Sequence, residues 1–338
     1  MKNDKVTIMR HLLYYCVLIA GVTVYSVCAD DAQELSIIKH TANEFMLLDP
    51  SYDHDNIVVC KFLEGQKSSY IVFVKDHEGN EYVVKQERGK TLKNQFRSLS
   101  EVLCAYIANE ISIPSHHVRL LPINMAFPGK FITKRLATLH TVVPGSTIRT
   151  LLHDEYAKLD LKQPIDNTLP FDKQGFNERT IASMSLHAQL PHIVALDTFI
   201  GNKDRNKANL LYDATTDSFY VIDMSLIYDT TENRKSVAQI ACEHVGRMIE
   251  KHQTFTDKER DALLTYRSVL QNLVKNFPPK RMNELLDGLV IESGLLDSHS
   301  YYDSKDVYAF ANAYKRAIKQ TYIDIKKLIY LLFILINY

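Results

Sequence analysis

Between Val58 and about Leu136 the order of apolar and polar residues is mostly that of strands. Tyr70-Ile71-Val72-Phe73-Val74 and Tyr82-Val83-Val84 are rich in β-branched and aromatic residues. Asp76-His77-Glu78-Gly79-Asn80 between them is strong turn chemistry, so the pattern predicts a hairpin. Apolar residues at 99, 102, 103, 106, 107 and 111 then predict a helix from about Leu99 to Ile111. Pro128-Gly129 marks a turn before a further short strand, Lys130-Phe131-Ile132-Thr133. Pro144-Gly145, Pro164, Pro170 and Gly175 break residues 137–180 into loops. After Thr180 helical periodicity takes over, and beyond Glu232 it runs nearly to the end. A second hairpin interrupts it, with Leu210-Leu211-Tyr212 and Phe219-Tyr220-Val221-Ile222 on either side of a turn. The expected architecture is α+β and two-lobed: a small β-rich lobe with its leading segment over 30–136, then a larger, mainly helical lobe over 137–327.

The two ends differ from this middle. Residues 12–29 carry no charge and follow Lys2, Lys5 and Arg10, and Val27-Cys28-Ala29 has small residues at the −3 and −1 positions. This reads as a secretory signal over 1–29, cleaved before Asp30, or as a signal anchor at 12–29 that keeps the chain on a membrane. No N-x-Ser/Thr acceptor occurs, which favours an exported bacterial protein, with a host as one place of action. The last stretch, 328–338, is uncharged after Lys326-Lys327 and too short to span a bilayer. It is expected either as a helix end buried against the domain or as a peripheral membrane contact.

Charge and cysteines narrow the function. Forty basic and 40 acidic residues cancel, so a nucleic-acid partner is not expected. Loss of the leader would remove Lys2, Lys5, Arg10 and Asp4 and leave a net charge of −2. The five cysteines contain no C-x-x-C pair, which excludes a disulfide scaffold and argues against a cysteine zinc site. Gly89-Lys90-Thr91 lacks the upstream glycine of a phosphate-binding P-loop, where Val84 stands. His116, His117, His187 and His192 lack zinc-ligand spacing and read as core or solvated histidines.

The chemistry concentrates in Gly201-Asn202-Lys203-Asp204-Arg205-Asn206-Lys207-Ala208-Asn209 and in Asp223. The second hairpin would return Asp223 to the side of Asn209. A loop carboxylate such as Asp204 can accept or orient a hydroxyl proton. The Asn209 carboxamide oxygen and the Asp223 carboxylate can together hold Mg²⁺, a hard ion that wants few protein oxygens plus phosphates. These are the parts of a phosphoryl-transfer site, where positioning and charge neutralisation do most of the work. Lys85, at the end of a strand, can aim its cation at phosphates, and Glu101 on the following helix can pair with it. Gly65-Gln66-Lys67-Ser68-Ser69 offers a turn with amide donors and the Ser68 and Ser69 hydroxyls for phosphate. Glu101 has a rival role, because Ser98-x-x-Glu101 is also a capping box.

Together these residues resemble the protein-kinase-like superfamily, and within it the atypical branch of HipA-type kinases, phosphatidylinositol 3-/4-kinases and the actin-fragmin kinase. The GNKDRNKAN loop is similar to that branch's G-N-x-D-R-H-x-x-N catalytic loop, and VIDMS stands in the place of its metal-binding Asp segment. SEVLCAYIANEISIPSHHVRLLP resembles its helix with the Glu and the Ile-Pro turn. The likeness covers about Cys60 to Asp229. It implies ATP and Mg²⁺ as cofactors, with Asp204 as catalytic Asp and Asn209 and Asp223 as metal ligands. Lys85 would be the phosphate lysine and Glu101 its partner. The linker after Phe131-Ile132-Thr133-Lys134 would be the hinge that meets adenine. The implied activity is transfer of the γ-phosphoryl group of Mg-ATP to a hydroxyl of a protein Ser/Thr or of a phosphoinositide. Two departures stand out: Asn206 replaces the His, and Asp223-Met224-Ser225 lacks the glycine of the lipid-kinase form. They keep open an inactive nucleotide-binding or scaffold protein, and an AMP transferase on the same lobes is a further alternative.

Overall fold

The computed structural model describes residues 58–63, 69–76, 78–121, 135–151, 176–206, 208–225, 235–297 and 300–337. The expected leader (1–29), Ser68 and Thr133 lie outside them, as does most of the segment expected to be loops before Thr180. The described residues all belong to one unit, Phe45–Tyr338.

Strands β1 (Val58–Leu63), β2 (Ser69–Lys75) and β3 (Glu81–Glu87) follow one another as an antiparallel meander. The turn between β2 and β3 forms because Asp76 Oδ1 accepts the Glu78 and Asn80 amide protons at 3.0 and 2.8 Å, while Gly79 takes a positive φ of 86°. Helix α1 (Leu92–Glu110) comes next, then β4 (Val118–Leu121) and β5 (Ala137–Thr141). The sheet order is β1-β2-β3-β5-β4, with every pair antiparallel. Val72, Val74, Val84, Leu121, Ala137 and Leu139 form its packed face.

Three expectations need correction here. Helix α1 begins at Leu92, not Leu99, because Phe96 continues the apolar stripe toward the N-terminus and Gln95 is buried with it. Ser98 and Glu101 therefore lie inside the helix, Thr91 is its N-cap, and no capping box forms between them. The β-rich lobe also runs past its expected end at 136, since 137–141 is a strand between β3 and β4. The segment after Lys134, expected as the hinge, leads into this strand, and Thr133 itself lies outside the described residues.

From Thr141 the chain passes through Pro144-Gly145 into a second, three-stranded sheet. It consists of β6 (Ser146–Thr147), β7 (Leu210–Asp213) and β8 (Ser218–Val221). Gly145 has φ of 98°, and a Cβ there would stand 2.6 Å from the Tyr212 carbonyl oxygen. Only glycine lets the connection lie this close to β7.

The rest is helical: α2 (Ile148–Leu151), α3 (Glu178–Met184), α4 (Leu190–Ile200), α5 (Val237–Glu250), α6 (Asp257–Asn276), α7 (Pro279–Glu292) and α8 (Ser304–Asn337). Helix α4, LPHIVALDTFI, is apolar nearly all round and correspondingly buried, against α6 above all. The apolar tail is the end of α8. Leu328, Leu332, Leu335 and Ile336 face inward, against α5 and α6, and Arg260 donates to the Ile336 carbonyl at 2.7 Å. Among the described residues no helix is long and apolar enough to cross a membrane. A β-rich lobe with one helix is followed by a larger, mainly helical lobe, as the sequence pattern predicted.

Candidate functional site

The loop of Asp204 is built on the end of α4. Gly201, in the left-handed region at φ of 68°, ends the helix, and the Asn202 amide donates to the Asp197 carbonyl at 2.8 Å. Asn202 Nδ2 donates to Asp197 Oδ1 at 2.7 Å, and Asn202 Oδ1 accepts the Asp204 amide proton at 3.0 Å. Arg205 turns inward from the same loop. Its Nε and Nη2 each donate to one Asp197 oxygen at 3.0 Å. Its Nη1 donates to the backbone carbonyls of Asn209 at 2.6 Å and Ile222 at 2.9 Å. One guanidinium thus ties the end of α4 to the two segments that carry Asn209 and Asp223. The Ile222 amide also donates to the Asn209 carbonyl at 3.2 Å, which brings the two segments side by side.

The side chains of this loop leave acceptors open. Asn209 Nδ2 donates to the Asp204 carbonyl at 2.9 Å, and among the described residues Oδ1 has no donor. Asn206, in the place of the resemblance's His, accepts the Ala208 amide proton at 2.8 Å and donates to the Asp204 carbonyl at 3.2 Å. It serves the loop backbone before anything else. Its longer approach to Asp204 Oδ1, 3.5 Å, is at the limit of a hydrogen bond.

Lys85 projects from β3 to meet this loop. Its Nζ lies 3.0 Å from Glu101 Oε2 on α1, 2.6 Å from Asp223 Oδ1 after β8, and 3.9 Å from Glu87 Oε1. Glu87 is held in turn by the Ser69 hydroxyl at 3.0 Å and faces Arg97 at 3.5 Å. Ser69, expected in a phosphate turn, is buried at the start of β2 and commits its hydroxyl to Glu87. Burial opposes the Lys85 charge, but the three carboxylates outweigh it and hold the ammonium above its ordinary pKa. Those carboxylates exceed the charge they surround. Burial, reinforced by Asp223 and Glu87, pushes Glu101 up to about 7 despite Lys85. Asp223 stays below the usual carboxylate value, because Lys85 and Ser225 overcome its desolvation.

Asp223 itself has φ of 52°, a left-handed backbone that a non-glycine residue adopts at some strain. The two residues that follow hold this conformation. Met224 is fully buried, and the Ser225 hydroxyl donates to Asp223 Oδ1 at 3.0 Å. Lys85 and Ser225 both take Oδ1, so Oδ2 is left without a partner among the described residues, on a side chain 40 % exposed. An exposed carboxylate oxygen and an open carboxamide oxygen on adjacent backbone segments suit a hard divalent cation. The donor set therefore fits Mg²⁺.

Behind Lys85 lies a pair of histidines. His116, in the turn after α1, and His140, on β5, are both buried and pack edge to face with centroids 4.8 Å apart. Burial, with the Lys85 charge adding to it, holds His116 down to about 3. Burial likewise keeps His140 well below its ordinary value. Of the histidines read as core or solvated, His116 is in the core and His117 is exposed. The importance of Asp197, Arg205 and His140 was not apparent from the sequence. Asp197 had one signal: a lone carboxylate within an otherwise apolar helix has to find a buried cation.

Comparison with known proteins gives no sequence-level family. No family model matches the chain, and no curated protein matches it. Among solved structures, the Rio2 kinase from Chaetomium thermophilum, in an ADP/Mg²⁺-phosphoaspartate complex, aligns with 78 % of this chain and 71 % of its own. The identity is 16 % and the TM-score 0.35.

Proposed function

We propose that the protein is an ATP-dependent phosphotransferase of the atypical kinase-like group. It would move the γ-phosphoryl group of Mg-ATP to a hydroxyl of a protein Ser/Thr or an inositol lipid. One observation carries this reading. Lys85 from β3, Glu101 from α1 and Asp223 from the segment after β8 converge within 3.0 Å of one ammonium, and the residue before Asp223 is bonded to Asn209. A structural ion pair needs one partner; an assembly drawn from both lobes suits a phosphate chain lying between them.

Each residue would then have a distinct task. Asn209 Oδ1 and Asp223 Oδ2 are the oxygens that would hold Mg²⁺, which with ATP supplies the transferred group and neutralises its charge. Lys85 would turn from Asp223 toward phosphate oxygens while Glu101 keeps its stem in place. Asp204, positioned through its own amide by Asn202, would receive or orient the acceptor's hydroxyl proton. On this reading Val142 and Val143, just after β5, would be the residues that meet the adenine ring.

Asp223→Asn is the test. It removes the carboxylate charge while keeping the shape, and Mg-ATP-dependent transfer is expected to vanish; full activity in that variant overturns the assignment. Measuring nucleotide binding beside turnover separates a catalyst from an inactive nucleotide-binding protein, for which the Asn206 substitution speaks. On the leader pattern we further propose that the chain is exported. Secretion of a product starting at Asp30 is expected, and retention of residues 12–29 in a membrane-bound product argues for the anchor.

A further inference from the structure

We propose that Glu101, His116 and His140 form a binding site for a divalent transition metal of the zinc class, distinct from the oxygen site at Asn209 and Asp223. One potential ligand atom from each residue lies within 4.8 Å of the others, and all three side chains are buried. Four-coordinate zinc with bonds of about 2.0 Å has ligand atoms roughly 3.3 Å apart. A small contraction of three side chains would close the site.

Several independent features point to a cation here. Among the described residues His116 Nε2, which is buried, has no hydrogen-bond partner, which is unusual for an imidazole 3 % exposed. On His140, Nε2 lies 2.7 Å from the Thr138 hydroxyl oxygen, whose own proton points to the Lys85 carbonyl at 3.4 Å. In that arrangement Nε2 carries the ring hydrogen, and Nδ1 keeps the lone pair that a metal requires. A ligating histidine is commonly oriented by just such a bond from its other nitrogen. Both rings are kept neutral by burial, which is the ligating form. Finally, three carboxylates, Glu87, Glu101 and Asp223, surround Lys85 with only Arg97 added beside Glu87, and a divalent ion bound by Glu101 would offset the remaining negative charge. Two imidazoles and one carboxylate suit zinc and its neighbours, whereas Mg²⁺ seeks oxygen ligands.

The site has a consequence that rests on the phosphotransfer reading. Glu101 would be shared between the metal and Lys85, so occupancy would loosen the Lys85–Glu101 pair and slow transfer. The metal would be an inhibitor bound behind the nucleotide site, not a catalyst.

Binding is read without nucleotide, so its outcome is separate from that of the phosphotransfer assignment. The full chain, stripped by chelator, is titrated with Co²⁺ and followed by visible absorption. The expected result is the d–d spectrum of a tetrahedral nitrogen–oxygen site at one equivalent, removed by Zn²⁺. The variant His116→Ala/His140→Ala should lose it. Thr138→Val, which keeps the strand and removes only the supporting hydroxyl, should weaken Co²⁺ about 10- to 100-fold. A thiolate charge-transfer band would place the metal on cysteine and overturn the proposal. So would the absence of a tetrahedral spectrum, or one unchanged in the double variant. If circular dichroism shows that the double variant does not fold, the wild-type spectrum and Thr138→Val decide.

Discussion

Asp197 grips Arg205 through both carboxylate oxygens, each at 3.0 Å, with both side chains buried. The pair has the fork geometry that only a guanidinium provides, and its remaining nitrogen reaches the Asn209 and Ile222 carbonyls. Removing one partner leaves the other charge buried. Asp197→Ala is expected to destabilise the protein by about 3–5 kcal/mol, seen as a lower urea midpoint at unchanged slope. A loss under about 1 kcal/mol would mean the loop is held by something else. Arg205→Lys keeps the charge but cannot serve the carboxylate and both carbonyls together. It should reduce Mg-ATP-dependent transfer more than it reduces stability.

Glu101 gives a second expectation, with its sign set by burial. The group titrates near 7 in the folded chain, above its ordinary 4.5. The folded state therefore binds the Glu101 proton more tightly than the unfolded state does. This contribution is fully present below about pH 4.5 and is lost as pH rises toward 7. The loss is on the order of 3 kcal/mol, at about 1.4 kcal/mol per pH unit. Urea unfolding across this range should show the decline in wild type and a flatter profile in Glu101→Gln. Identical profiles would show that Glu101 is ionised throughout by its contact with Lys85.

Much of this arrangement was legible in the sequence, for physical reasons that also explain the gaps. The two hairpins were readable because their turns carry local chemistry, as at Asp76 and Gly79. The approach of Asp223 to Asn209 was readable because one short hairpin joins them, whereas the contact of Lys85 with Asp223 spans 138 residues and has no local signal. Strand β5 was missed because Thr138 and His140 are polar yet point inward, and its partners β3 and β4 come from either side of α1. The start of α1 was hidden by Lys93, Asn94 and Arg97 around buried Phe96. His116 and His140 meet only because Val118 pairs with His140 across two strands. No local spacing encodes that.

His116 should act opposite to Glu101. In metal-free protein its pKa is held near 3 by burial, far below the ordinary 6.5. The neutral ring is favoured in the folded state, so the associated stability is full above about pH 6.5 and is lost as pH falls toward 3. The slope is about 1.4 kcal/mol per unit for this one residue. His116→Leu removes both the titration and a buried nitrogen that has no partner among the described residues, so it should cost little at pH 8 and flatten the acid limb. Thermal unfolding in the presence of chelator from pH 8 to 4 measures this. An acid limb of wild-type steepness in the variant would assign the loss to other groups.

Gly145 lets the last expectation join backbone geometry to function. The residue lies in the connection between β5 and β6, with φ of 98° and space for no Cβ, since one would meet the Tyr212 carbonyl oxygen at 2.6 Å. Gly145→Ala imposes two burdens at once: a left-handed backbone that alanine disfavours by about 1 kcal/mol or more, and a contact with backbone that cannot rotate away. The connection has to move off β7, which alters the path of Val142 and Val143, the segment proposed to meet adenine. The variant should be destabilised by about 1–3 kcal/mol and bind ATP more weakly while the Lys85–Glu101 pair stays intact. Isothermal titration with Mg-ATP beside urea unfolding separates the two effects. Weakened stability with unchanged nucleotide affinity would move the adenine contact away from Val142 and Val143.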